Sequence, residues 1–276
     1  MKKLLFVCDG GNFPKGAMEF IKFLHQSETL LVKAVFLTPV DFQELIATSY
    51  VPIAEPYVKL KEEERLLTLQ SRNSFISECE ASSIKYQISH QNRKWGKDLF
   101  SRESRFSDLI VISEELFCVD VPNYTYQPNM YMRELLHKAE CPVIAVPESF
   151  RSFERLVVAY DGKKESMMAL KQFCYLFPQF TEFPAEFVYV KDEDIDDIPS
   201  DELLKEYLRV HFNSTAISKL HFDPKKYFTA WADSKKDILF IAGSFGRSIV
   251  SDIIKSSFAE QIINDHAFPI FIAHHS

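Results

Sequence analysis

Short apolar runs alternate along the chain with segments whose apolar positions recur at helical spacing. Four runs of the first half return, in order, in the second. KLLFVCDGG (3–11) matches RLVVAYDGK (155–163), and VKAVFLTPVD (32–41) matches AEFVYVKDED (185–194). SDLIVISEE (107–115) matches KDILFIAGS (236–244), and CPVIAVPE (141–148) matches FPIFIAHH (268–275). The offset drops once, so the first copy carries about 24 extra residues, placed around the two-proline stretch 50–59. The chain is thus a tandem repeat. The junction falls near 147–155, giving domains 1–149 and 150–276.

The second copy predicts a strand at 156–160, a helix at 165–176, a strand at 187–190 and a helix at 201–217. A short strand at 219–222, helical turns at 224–233 and a strand at 238–242 follow. A helix at 257–265 and a last strand at 269–273 complete it. Strands that are apolar throughout, alternating with helices, indicate α/β architecture: a parallel sheet covered on both faces. Ligands of such sheets bind at the carboxyl ends of the strands, where the winding reverses.

Composition narrows the function. Of 276 residues, 46% are hydrophobic and 26% charged, an ordinary globular balance. The net charge of -7 argues against a nucleic-acid partner. The apolar run 4–8 is too short for a secretory segment, and no run reaches the ~18–20 residues of a membrane span. A cytoplasmic protein is expected, without membrane partner. Five widely spaced cysteines (Cys8, Cys79, Cys118, Cys141, Cys174) suit reduced, mostly buried thiols.

Only seven glycines occur, and five follow the first or fourth strand of a copy: Gly10, Gly11, Gly162, Gly243 and Gly246. Asp161-Gly162 follows the first strand of the second copy. There a carboxylate can accept hydrogen bonds from ribose or base, with backbone N–H groups beside it for phosphate. The competing reading is an ordinary strand-to-helix turn with Asp as a cap. Neither GxxxxGK[ST] nor GxGxxG is present.

GSFGRS (243–248), SSFAEQII (256–263) and FPIFIA (268–273) together resemble the universal stress protein family. Its pattern is Gly, two residues, Gly, nine residues, then Gly-Ser or Gly-Thr, a helix and an apolar strand. AECPVIAVPE (139–148) and the strand-Asp-Gly starts at Asp9 and Asp161 also fit, so the resemblance spans nearly the whole chain. It implies two doubly wound domains, each a five-stranded parallel sheet in order 3-2-1-4-5 with helices on both faces. It also implies pairing through the last strands, 143–146 and 270–273, an intrachain pseudo-dimer. In the family's ATP-binding members the matching positions are Asp161 and Val190 at adenosine. Gly243, Gly246, Ser256 and Ser257 match at the phosphates, with Arg247 beside them, and Mg²⁺ accompanies the ATP. No catalytic or metal-ligating residue is assigned.

The two copies differ. Where the second has Gly243-Ser244-Phe245-Gly246, the first has Ser113-Glu114-Glu115-Leu116, and its counterparts of the serine pair fall near Asn129-Met130. Like charges ~4 Å apart cost about 1 kcal/mol even in water, so two glutamates oppose a triphosphate. The first domain is expected to be degenerate for nucleotide. In the second, Ser256 replaces a glycine and Asp252 is unfavourable to an anion, while Arg247, Lys163 and Lys255 offset it.

The remaining features have plainer readings. The acidic stretch 191–206 reads as a solvated loop with Ser200 capping the next helix. The phenylalanines around 20–23 and 173–177, and Trp95 and Trp231, read as packing. His274 and His275 read as a surface tail. The leading expectation is a stress-response module, not an enzyme, that binds ATP or a related nucleotide in its second domain, with an unknown protein partner. An interaction scaffold with both sites degenerate stays open, as do a homodimer and a slow ATPase or phosphotransferase.

Overall fold

The computed structural model describes residues 1–37, 55–89, 97–113, 139–190, 197–220, 237–243 and 268–273. The chain divides into two compact units, Met1–Ala139 and Glu140–Ser276.

The first unit runs β1 (Lys2–Asp9), α1 (Lys15–His25), β2 (Leu30–Leu37), α2 (Glu55–Ala81), β3 (Lys85–Ile88), α3 (Lys97–Ser104) and β4 (Leu109–Ser113). Its strands are parallel in the order β3-β2-β1-β4. Leu4 to Cys8 and Leu109 to Ile112 are all 0% exposed, the burial that their unbroken apolar runs demand. The extra residues of this copy lengthen a helix: α2 has 27 residues, against 11 in the corresponding helix of the second unit. The part of the expected insertion from Glu55 onward is therefore its first turn. From α2, Phe75 stacks on Phe6 with centroids 5.6 Å apart and meets Phe36 and Tyr86 edge-on at 6.2 and 5.7 Å.

The second unit contains β5 (Val143–Val146), β6 (Arg155–Tyr160), α4 (Lys164–Leu176), a 3-10 turn (Pro178–Glu182), β7 (Ala185–Val190), α5 (Asp201–His211), β8 (Thr215–Leu220), β9 (Ile238–Gly243) and β10 (Ile270–Ala273). Strands β6 to β10 are parallel in the order β8-β7-β6-β9-β10, the expected 3-2-1-4-5. Strand β5 adds to β10 antiparallel, with Phe271 opposite Ile144. The two segments expected to pair, 143–146 and 270–273, do so, and both lie in the second unit. The core is aromatic: Phe173 and Phe177 lie at 5.4 and 6.2 Å from Phe271, and Phe153 lies at 4.9 Å from Phe180.

Two expectations need correction. The helix expected over 201–217 stops at His211, and 215–220 is strand β8 rather than helix followed by a strand at 219–222. Phe212 is already extended, and β-branched Thr215 and Ile217 suit the strand that adds beside β7. Ser200 is not a side-chain cap: it is left-handed at φ 55° and makes no capping hydrogen bond. Of the thiols, Cys8, Cys79 and Cys174 are buried, and none of these or Cys141 is in a disulfide. Phe20, Phe173 and Phe177 are buried as expected. Among the described residues no helix is long and apolar enough to cross a membrane. The expected elements at 224–233 and 257–265, and Trp95, Trp231, Cys118 and the histidine tail, lie outside the described residues.

Candidate functional site

The second unit's sheet reverses its winding between β6 and β9, which run side by side with Val158 opposite Ile241. On its other side β6 pairs with β7, Tyr160 opposite Tyr189. The residues that come next, Asp161 and Val190, therefore stand at neighbouring carboxyl ends, and Gly243 ends β9 on the other side of β6. This is the crevice where a doubly wound sheet takes its ligands.

Asp161 begins the turn into α4. Its Oδ1 accepts a hydrogen bond from the Lys163 backbone N–H at 3.0 Å, and its Oδ2 accepts one from the Lys163 ammonium at 3.1 Å. The first bond closes an Asx turn two residues ahead, so the carboxylate shapes the turn, as the plainer reading of the sequence allowed. Ser166 steadies the start of α4, its hydroxyl donating to the Lys163 carbonyl at 2.9 Å.

Gly162 has φ +76°, and a β-carbon there would lie 2.4 Å from Cβ of Pro199. Both conformation and space require glycine. Pro199 is held in turn by Tyr160, whose hydroxyl donates to its carbonyl at 2.7 Å. Burial, and then the negative charge of Asp161, raise the Tyr160 and Tyr189 hydroxyls above the usual tyrosine value. Both tyrosines stay neutral beside the carboxylate.

Gly243 is buried against α4. A β-carbon at this position would fall 2.5 Å from the carbonyl carbon of Glu165 and 2.7 Å from the Ser166 nitrogen. The glycine lets the end of β9 and the start of α4 approach, which brings the Asp161 turn close to Gly243. Gly246, Arg247, Ser256 and Ser257 lie outside the described residues, as does the side chain of Val190.

In the first unit Ser71 on α2 is buried and donates from its hydroxyl to the Gly10 carbonyl at 3.1 Å. The turn after β1 is thus fastened to the long helix, and Ser113 at the end of β4 is buried. Sequence reasoning did not foresee the contacts of Pro199, Ser71 or Glu165. Lys163 it noted only as nearby charge, although its spacing from Asp161 is that of an Asx turn.

No family model and no curated protein matches this sequence. Solved structures do match. A universal stress protein from Archaeoglobus fulgidus DSM 4304 superposes with a TM-score of 0.71 at 16% identity, over 100% of this chain and 97% of that one. A putative universal stress protein from Pseudomonas aeruginosa UCBPP-PA14 gives 0.52 at 11% identity, over 99% and 93%. A Pseudomonas aeruginosa PAO1 protein of unknown function gives 0.52 at 11% identity, over 99% and 92%. The chain has the fold of a universal stress protein, present twice along its length.

Proposed function

We propose that the chain is a tandem universal stress protein, a cytoplasmic stress-response module whose second unit binds ATP or a related nucleotide with Mg²⁺. The observation that carries this reading is the convergence of Asp161 and Gly243 at adjacent carboxyl strand ends, where β6 and β9 part. Asp161 would face the ribose or base, with Val190 at the adenine. Gly243, Gly246, Arg247, Ser256 and Ser257 would serve the phosphates. The first unit is assigned no nucleotide, because Glu114 and Glu115 replace the glycine loop. The role is binding rather than catalysis.

The test is calorimetric titration of the full chain with ATP and Mg²⁺, beside Gly246→Glu. Saturation near one ATP per chain, lost in the variant, supports the reading. No heat at high micromolar ATP with the fold intact overturns it. A scaffold with both sites degenerate is the second reading, and a specific observation favours it: packing against Glu165 and Ser166 accounts for Gly243 without any ligand.

A further inference from the structure

Asp161 is held by Lys163 through both of its carboxylate oxygens. Its two oxygens are held by two different groups of that residue, and the two bonds differ in how easily they open. The backbone N–H belongs to the turn and stays with Oδ1. The ammonium on Oδ2 sits at the end of a flexible four-carbon stem, and the Lys163 side chain is 54% exposed against 23% for Asp161. The pair presents a carboxylate already neutralised on Oδ2. The neighbouring cation, Lys164, has its own partner in Glu165 at 3.8 Å.

Resting on the nucleotide reading above, we propose that Lys163 is a specificity-determining residue that makes the site select nucleoside phosphates over nucleosides. A ribose hydroxyl that donates to Oδ2 competes with the ammonium for that oxygen and loosens it. When the ligand carries phosphate, the loosened ammonium exchanges one anion for another, and the charge balance of the site is kept. When the ligand is a bare nucleoside, the ion pair is weakened with nothing anionic in return. The same residue therefore opposes a nucleoside and favours a nucleotide.

The experiment compares Mg²⁺-ATP with adenosine, each titrated calorimetrically into the full-length wild type, Lys163→Met and Lys163→Arg. Lys163 is largely exposed, so the variants should retain the fold, and a thermal melt checks it. An exposed ion pair of ordinary strength corresponds to about a two- to fivefold change in affinity. In Lys163→Met, ATP should weaken by about that factor and adenosine should tighten. Lys163→Arg should keep the wild-type preference. Equal changes for both ligands, or none, with ATP still bound by wild type, would overturn the role of Lys163 and leave the nucleotide reading standing. Absence of ATP binding to wild type would overturn both.

Discussion

Gly243 lies so close to the first turn of α4 that a β-carbon on it would sit 2.5 Å from the carbonyl carbon of Glu165. The family resemblance presents this glycine as part of a phosphate loop. Packing gives it a second and independent reason to be glycine, since helix backbone cannot withdraw as a flexible side chain can. Gly243→Ala should therefore destabilise the chain by about 1–3 kcal/mol, the usual range for overpacking. Urea unfolding without ligand checks this. A variant as stable as wild type would mean that α4 yields at no cost.

Gly162 is constrained twice, by φ +76° and by Pro199. Gly162→Ala should cost about 1–2 kcal/mol for the left-handed backbone, plus the displacement of Pro199. Tyr160→Phe removes only the 2.7 Å bond to the Pro199 carbonyl and should cost about 0.5–1.5 kcal/mol. The same unfolding assay should rank Gly162→Ala as the more damaging of the two.

The buried thiols set an alkaline limit. Burial is the largest cause pushing Cys79 up to about 12 and Cys174 up to about 11, from an ordinary value of 9.0. Folding keeps both protonated, whereas the unfolded chain releases their protons near pH 9. Their contribution to stability is complete below that pH and is lost progressively as pH rises from about 9 towards the folded values. Urea midpoints at pH 8, 9.5 and 10.5 should fall in wild type. They should fall less steeply in Cys79→Ala and Cys174→Ala, even though each variant starts lower.

In the first unit, the long helix α2 is held by Phe75 and Ser71. Phe75→Ala empties the space between Phe6, Phe36 and Tyr86 and should cost about 3–5 kcal/mol. Ser71→Ala should cost about 1 kcal/mol by freeing the Gly10 carbonyl. Proteolysis within 55–81 should accelerate in Phe75→Ala more than in Ser71→Ala.

The strands were legible because a strand buried on both faces has no polar positions: LLFVC and LIVI are unbroken apolar runs of strand length, and both are fully buried. The region 201–217 misled for the opposite reason. Strand β8 pairs with β7, and its first two residues, Thr215 and Ala216, are exposed, so it lacks an unbroken apolar run and continues the helical pattern that precedes it. The Asp161 turn was legible as a candidate because Asp-Gly after a strand carries local chemistry. The reason for Gly243 was not, because Glu165 lies far away in sequence and only the tertiary fold brings its backbone there. The Lys163 pairing was within reach of local reasoning, since an Asp two residues ahead of an N–H is the Asx-turn spacing.

Nucleotide binding confined to the second unit is tested most directly by amide hydrogen exchange on the full chain with and without Mg²⁺-ATP. New protection is expected in the second unit around 160–163 and 241–247, with none around 9–12 in the first. Protection at 9–12, or exchange unchanged throughout at saturating ATP, would contradict that assignment.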